Sequence, residues 1–590
     1  MKRAFAVAAV AVAALTARGA IAQVAVAEGQ TAAVLPERTY LHFSIPDIEE
    51  LKTRFNATQG SGLFTGPEFE DLRERVLEQY EELNDQAERE IDLSLDDLLG
   101  VAKTHFSLAV TEPDDGVLSL VIFVGIGDDT STVDSIVEKI QDAYKEQGAD
   151  VEETEVGGVE IVNCFIPNTK PDPEAFSFNY FIADGMWVIG TNRTVLESVV
   201  DRWGGDGDNL AGDELYREVM DKVDLGFGRE AALEAFFNPI ELIQAVGGTV
   251  AQVDPQTGAQ INMGLGFLPL TGLQNLRCIG SKTDFGGAAG EGMAKTFTMI
   301  TQPTTGLLKI GTLREQDQTP PEWVPAEAST YQAFTWSVED AYAAVEGLVD
   351  QFQGRGATER FMDQIAEMPD GPGLHIKDDI IDQLEGTIST FTVPNKGTTT
   401  ELTPEDLASI GGKQVFALRL NRTHNAGEVL EKIAEAAEGE LESRDFRGTT
   451  VYEFGGGGPM VGGVAVVNDN IVVATDVELL ENVIRGGGGN SLANTDAFQK
   501  ATEGFPQNAA ALVYADPAEQ IRAIYEPARN GAFDDLIKQA DDNVPVDLII
   551  SVLRDLPAFA DIEKYFGYSA GYTVIEDDGY LGVRKGTARD

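Results

Sequence analysis

Basic residues, histidine and cysteine are all scarce in this chain. Its 590 residues include 43 Lys and Arg against 98 Asp and Glu, for a formal net charge of -55, with only 4 His and 2 Cys. Backbone binding to nucleic acid needs clustered Lys and Arg that displace counterions, so we expect no nucleic-acid partner. Neither His-Glu-x-x-His nor Cys-x-x-Cys occurs, so the usual zinc signatures are absent. The sequence therefore predicts no cofactor.

Long apolar runs are also lacking. The apolar run near the N-terminus is short. Lys2 and Arg3 precede an apolar stretch at 4–15, and Ala20-Ile21-Ala22 stands before Gln23. This order predicts a signal peptide over residues 1–22, cleaved between Ala22 and Gln23. An uncleaved membrane anchor is the alternative, but the run is shorter than the ~20 residues of a spanning helix. We expect an exported protein, periplasmic or extracellular, with no transmembrane segment in the mature chain.

The balance of apolar and charged residues predicts a folded protein. Hydrophobic residues make up 43% and charged residues 24%, close to the values of ordinary globular chains. A domain usually has about 100–200 residues, so several domains or a few large ones are expected. The acidic excess is spread along the whole chain, which favours adaptation to a salty environment over a calcium-binding surface.

The two halves of the chain resemble each other in order. The matched stretches are 137–143 with 430–436, 191–199 with 475–483, 209–216 with 491–498, and 237–241 with 515–519. Such a collinear set predicts a tandem repeat. We expect homologous units at 30–310 and 322–590, joined by a connector at 311–325 that contains Pro320-Pro321.

Each unit mixes strand and helix patterns. Residues 40–45 alternate, with Tyr40, His42 and Ser44 on one face of a strand. Asn238-Pro239 and Asp516-Pro517 combine a helix-capping residue with Pro at the first helical position. A helix-spaced apolar series runs from Phe69 to Ile91. Because few strand-helix-strand crossovers occur, we expect an α+β fold in which each unit is mainly antiparallel sheet with helices packed on one face.

These patterns resemble a large family of exported bacterial proteins that carry an uncharacterised domain. The resemblance rests on the Leu35-Pro36 and Val324-Pro325 openings, the hairpin and helix that lead to 191–199, the run at 491–498, and Val513-Tyr-Ala-Asp516. It covers most of 35–585 and is best in the second unit. It implies an exported, repeated α+β protein and implies no reaction.

Cys164 and Cys278 both lie in stretches that we predict to be strands. Export would permit a disulfide between them. The sequence leaves open whether they pair.

Two histidines, an acidic turn and two glycine runs are candidate metal or phosphate sites. His42 and His105 fall on strands and could form a ligand pair, but solvent-facing strand histidines are favoured. Residues 206–214 hold closely spaced carboxylates, yet Leu210 breaks the EF-hand pattern, so a solvated turn is favoured over a calcium site. The glycine runs 455–458 and 486–489 have no following Gly-Lys-Ser or Gly-Lys-Thr, which favours flexible hairpin loops over a phosphate cradle.

The apolar, glycine-rich stretch at 261–273 is the remaining candidate. Its large side chains could line a ligand groove or touch a membrane or partner, although core packing is favoured. They are Met263, Leu265, Phe267, Leu268 and Leu270.

Two functional hypotheses follow. The first is an exported, non-catalytic scaffold or binding protein of the bacterial cell envelope, with an envelope protein or an apolar ligand as its partner. The second is an exported hydrolase with a dispersed carboxylate site. An enzyme should show a deep pocket with convergent acids of shifted pKa, whereas a scaffold should show a broad interface. The missing catalytic motifs favour the first hypothesis.

Overall fold

The computed structural model describes most of the chain in two compact units. The described residues are 31–75, 77, 80, 81, 84, 100–112, 117–128, 130–166, 177–203, 205, 207–287, 290–368, 373–395, 411–421, 425–437, 441–455, 462–538 and 546–590. The first unit takes the described residues up to Thr58, with Arg73–Pro269 and Leu276–Thr301. The second takes Gln59–Leu72, Leu270–Asn275 and Gln302–Asp590. The predicted signal peptide, with Ala22 and Gln23, lies outside the described residues.

An antiparallel sheet forms the centre of the first unit. Its strands are β1 (Thr39–Ile45), β2 (Phe106–Thr111), β3 (Ser119–Gly125), β4 (Asp150–Val156), β5 (Val159–Phe165), β6 (Phe178–Ala183), β7 (Met186–Gly190), β8 (Leu233–Phe237), β9 (Leu276–Asp284) and β10 (Gly292–Ile300). They lie in the order β4-β5-β6-β7-β3-β2-β1-β8-β9-β10.

The second unit is also built on antiparallel strands. Its strands are β11 (Thr330–Thr335), β12 (Leu384–Val393), β13 (Lys413–Leu420), β14 (Glu442–Phe446), β15 (Thr449–Phe454), β16 (Gly462–Val467), β17 (Asn470–Ala474), β18 (Ala511–Ala515), β19 (Tyr568–Glu576) and β20 (Gly579–Thr587). Their order is β14-β15-β16-β17-β13-β12-β11-β18-β19-β20. Strand for strand, this is the order of the first sheet. A short ladder also joins Gln316–Asp317 to Asn508–Ala509.

Helices connect the strands in both units. In the first unit they are Thr31–Val34, Ile48–Asn56, Ser131–Glu146, Arg193–Trp203, Glu214–Lys222, Pro239–Val253 and Pro255–Leu265. Helix Leu268–Thr271 falls across the boundary between the units. In the second unit they are Gly62–Thr65, Gly306–Ile310, Val338–Gln353, Ala357–Ala366, Ala426–Ala436, Val477–Ile484, Asp496–Ala501, Pro517–Arg529, Asp534–Ile537, Val546–Arg554 and Phe559–Ile562. No described helix has the length and apolar character needed to cross a membrane.

The two Asx-Pro junctions begin helices as the sequence predicts. The Asn238 side chain accepts a hydrogen bond from the Glu241 amide at 3.3 Å, and Pro239 is the first helical residue. The Asp516 side chain likewise accepts from the Ala518 amide at 3.1 Å before Pro517. Each side chain satisfies a backbone donor that the first helical turn leaves free.

Helices pack against both faces of the first sheet, not one face as expected. A Cβ added at Gly190 would lie 2.9 Å from Leu196 of helix Arg193–Trp203, so this helix covers the Gly190 face. Trp187 points the opposite way because side chains alternate along β7. It packs with Val133, Ile136 and Val137 of helix Ser131–Glu146. The α+β class and the antiparallel sheets are confirmed.

The core of the second unit lies between its sheet and helix Val477–Ile484. Tyr331, Phe391, Val472 and Leu480 are nearly inaccessible there. A smaller cluster joins Phe69 to Phe559 and Ile562. Phe69 ends a 3-10 turn at Pro67–Phe69, and residues 70–75 after it are helical, as the series predicts. Leu72 packs against the same cluster. Val76, Leu83, Ala87 and Ile91 of the series lie outside the described residues.

Candidate binding groove

A groove of about 700 Å³ lies in the second unit, beside helix Ala426–Ala436. The helix forms one wall, and strands β14, β15 and β16 form the other. The lining residues are Gly427, Glu428, Leu430, Glu431, Ala434, Glu435, Leu441, Ser443, Gly448, Thr449, Thr450, Tyr452 and Val466.

The helix wall is acidic because of how its residues are spaced. Ala426 and Val429 are buried and hold the helix to the unit. Glu428, Glu431 and Glu435 are three and four positions apart, so they occupy one side of the helix. All three are exposed and line the groove. The wall therefore presents a row of carboxylates to any molecule in the groove.

The strand wall supplies hydroxyl groups and an apolar floor. Ser443 on β14 lies directly opposite Tyr452 on β15, so both side chains point to the same face. Tyr452 is buried, and Val466 contributes apolar surface beside it. The pKa of Tyr452 is raised, first by burial and then by the charges of Glu431 and Glu435. The field of the helix carboxylates therefore extends across the groove.

The charge of the lining decides which ligands fit. No Lys or Arg is among the described residues that line the groove, whereas three glutamates are. A ligand that brings cationic groups would be attracted, and an anionic one would be repelled. The hydroxyl groups of Ser443, Thr449, Thr450 and Tyr452 can accept hydrogen bonds from ammonium or guanidinium groups.

The structure does not bring Cys164 and Cys278 together. Both are buried free thiols. Register fixes their faces: Asn163 shares a face with Asn179, and pairing across the sheet continues that face to Gly280. Cys278 lies on that same face, and Cys164 lies on the opposite one. The disulfide therefore does not form in this fold, and burial raises the thiol pKa to about 11 for Cys164 and about 12 for Cys278.

His42 and His105 are buried, so the expectation that they face solvent is wrong. Their exposed fractions are 2% and 7%. The His42 ring shares a hydrogen bond of 3.0 Å with the Thr31 hydroxyl, and the His105 ring shares one of 3.2 Å with the Pro46 carbonyl. Burial lowers the pKa of His42 to about 3, helped by the charge of His105, and lowers that of His105 to about 4. Both imidazoles are therefore neutral at pH 7.

In the turn considered as a calcium site, two of the side chains cap helical turns. Asn209 accepts a hydrogen bond from the Gly212 amide at 2.9 Å, and Asp213 accepts one from the Tyr216 amide at 2.7 Å. Asp206 lies outside the described residues. Within the described part of the chain, no cluster of three or more His, Cys, Asp or Glu could hold a metal ion.

The glycine run 486–489 follows helix Val477–Ile484, so the expectation of a hairpin loop there is wrong. Gly487–Gly489 form a single 3-10 turn after Gly486, which adopts a φ of 87°. A cradle for phosphate would need successive amides aimed at one point, and this turn follows a helix C-terminus, where carbonyls are exposed instead. Of the run 455–458, only Gly455 is among the described residues.

Three of the five candidate side chains in the apolar stretch at 261–273 are exposed. Met263 is 68% exposed, Phe267 49% and Leu270 36%. Leu265 and Leu268 are partly buried. The first four of the five candidate residues belong to the first unit and Leu270 to the second.

A segment of the second unit is similar to a known family. Residues 377–543 match a family described as a protein of unknown function, DUF3352. This segment contains the whole groove. The resemblance to proteins with an uncharacterised domain is thus confirmed for these residues. Searches of the curated proteins and of the solved structures found no match.

Sequence reasoning missed the groove. The signal was present, since Glu428, Glu431 and Glu435 repeat at helical spacing. In a chain with 98 acidic residues, however, such spacing recurs by chance. Only the packing of strands β14 and β15 opposite the helix distinguishes these three glutamates from the others.

Proposed function

We propose that the protein is an exported, non-catalytic binding protein, and that the groove beside helix Ala426–Ala436 holds a cationic segment of its partner. The observation that carries the proposal is the lining: three exposed glutamates face hydroxyl groups and a buried tyrosine, without a lysine or arginine among the described lining residues. The groove lies inside the segment matched by the DUF3352 family, which supports a functional role.

Three carboxyl groups have shifted pKa values that arise at helix caps or turns and not at a catalytic pocket, which favours binding over hydrolysis. Burial raises the pKa of Asp516, but this residue caps helix Pro517–Arg529 and pairs with Arg589. The pKa of Asp350 is lowered by the amides of Gly356 and Thr358, and that of Asp254 by the Thr257 hydroxyl and nearby amides. Each of these shifts has a structural cause at a cap or turn. None of these three residues lines the groove.

Two further features belong to this proposal. Lys2, Arg3 and the short apolar run before Gln23 support export. The identical strand order of the two sheets, together with the collinear sequence matches, supports descent of both units from one duplicated ancestor.

The proposal is tested by calorimetric titration of the chain with an octalysine peptide. The strong negative charge of the whole protein attracts this probe nonspecifically, so a matched control is essential. The test variant combines Glu431→Gln with Glu435→Gln. The control combines Glu339→Gln with Glu359→Gln, which removes the same charge from exposed helix positions elsewhere in the second unit.

We expect the test variant to bind about tenfold more weakly than the unmodified chain, because loss of two ion pairs costs on the order of 1–2 kcal/mol. The control should lose less than about twofold. Equal losses in both variants would show only nonspecific attraction and would contradict the proposal. Turnover of ester, peptide or glycoside substrates that Glu431→Gln abolishes would favour the hydrolase instead.

A further inference from the structure

One segment of this acidic chain is nearly free of charge. Residues 239–275 contain two charged side chains, Glu241 and Asp254. Helix Pro255–Leu265 has none, and neither does the stretch that follows it to Asn275. The corresponding stretch of the second unit, after Asp516-Pro517, carries charges throughout, including Arg522, Glu526 and Arg529. The low charge is therefore particular to the first unit.

The segment folds into a hairpin of two helices. Pro239–Val253 and Pro255–Leu265 meet at Asp254, which caps the second helix by accepting from the amides of Gln256 and Thr257. The helices approach closely at glycines: a Cβ added at Gly258 would lie 2.2 Å from Ala251, and one at Gly247 would lie 3.0 Å from Leu265. Leu265 and Ile261 therefore lie on the inner side of the hairpin, against Gly247.

Other apolar side chains of this segment are exposed. Ile243 is 47% and Val246 38% exposed on the first helix, three positions apart and so on one side. Met263 is 68% exposed on the second helix, and Phe267 is 49% exposed just after it. We call these four residues the hairpin surface. Ile243 and Val246 lie together on one side of their helix, and exposed apolar groups that lie together mark an interaction site.

Charge distinguishes the occupants of this surface. A second copy of a chain with a net charge of -55 would be repelled by the first, and an anionic bilayer would be repelled as well. A zwitterionic bilayer has no net charge, so it does not repel the acidic chain as an anionic bilayer does. The uncharged hairpin can approach it without the free-energy cost of removing charged side chains from water. Phenylalanine is one of the side chains that enter the boundary between headgroups and acyl chains. Met263 is the most exposed of the four apolar side chains.

We propose that the hairpin surface binds the protein peripherally to a zwitterionic lipid bilayer, with Met263 and Phe267 entering the interface. This proposal is independent of the groove in the second unit. It requires no spanning helix, since the hairpin lies along the membrane surface.

The test is flotation of the full chain with phosphatidylcholine vesicles. The test variant combines Met263→Asp with Phe267→Asp. The control combines Met368→Asp with Phe352→Asp, which changes the same residue types at similarly exposed positions, 54% and 65%, in the second unit. Thermal unfolding should be unchanged in both, because each side chain is already exposed.

We expect the unmodified chain and the control to float with phosphatidylcholine vesicles, and the test variant to lose at least about tenfold in bound fraction. Vesicles with a third of phosphatidylglycerol should bind less at low salt. Three results would overturn the proposal: no flotation of the unmodified chain, equal loss in both variants, or a doubling of mass with concentration that only the test variant abolishes. The last result would assign the surface to a second copy.

Discussion

At the scale of single residues, the first unit is notable for two buried histidines. His42 lies on β1, His105 immediately precedes β2, and each is more than nine-tenths buried. Sequence alternation placed Tyr40, His42 and Ser44 on one face correctly. It could not show that this face is covered, because coverage depends on helices more than 150 positions away, such as Glu214–Lys222, whose Tyr216 ring lies 6.3 Å from the His42 ring.

We predict that acid destabilises the first unit through these two residues. Their folded-state pKa values, about 3 and about 4, lie below the unfolded value of 6.5, so the unfolded chain binds protons first as the pH falls. Stability is therefore full above pH 6.5 and is lost as the pH falls toward 4. Between pH 7 and pH 5 each imidazole should cost about 2 kcal/mol in the free energy of unfolding.

The measurement is urea unfolding at pH 7 and pH 5 for the unmodified chain and for His42→Gln. The variant should lose about 2 kcal/mol less over this range. An unchanged dependence in His42→Gln would contradict a buried, neutral His42.

At the scale of elements, short-range chemistry explains where helices begin. Asp213 lies at a turn that resembles a metal loop in sequence, yet its side chain caps helix Glu214–Lys222. The Asx-Pro junctions were predictable because a cap involves residues two or three positions apart. The placement of helices on both faces of the first sheet was not predictable, since it depends on how distant apolar stripes pair.

We predict that Asp213→Ala lowers the free energy of unfolding by about 1 kcal/mol, because the Tyr216 amide loses its partner. Asp213→Asn should retain most of the stability, since an amide oxygen can accept the same hydrogen bond. Thermal unfolding of the unmodified chain and the two variants, with and without about 1 mM calcium, measures the stability that each variant loses or retains. A calcium-dependent stabilisation that Asp213→Ala removes would show that the turn is a metal site after all.

At the scale of the whole molecule, the compact units are not continuous stretches of the chain. Residues 59–72 stand early in the chain but pack within the second unit. Phe69 is 8% exposed against Phe559 and Ile562, and the Tyr565 hydroxyl donates to a Glu68 carboxylate oxygen at 2.6 Å. Lys564 and Tyr565 together lower the pKa of Glu68 to about 2. The second unit therefore includes a segment that the sequence repeat assigns to the first.

We predict that Phe69→Ala destabilises the second unit by about 3 kcal/mol, through a cavity beside Phe559. Hydrogen exchange should accelerate in helices Pro517–Arg529 and Phe559–Ile562, whereas strands β1 and β2 of the first unit should keep their protection. Phe64→Ala is the matched control, because Phe64 stands in the same segment and is 66% exposed. Faster exchange in β1 and β2 alone would place the segment with the first unit.

The sequence by itself determined the α+β class, the antiparallel pairing, the cap positions and the expectation of low affinity for nucleic acid. Each of these depends on composition or on residues close together in the chain. Only the tertiary structure decided that Cys164 and Cys278 lie on opposite faces, that His42 and His105 are buried, and that Glu428, Glu431 and Glu435 face a groove. These features depend on strand register and on the pairing of distant surfaces, and contacts of that kind leave no periodic signal in one sequence.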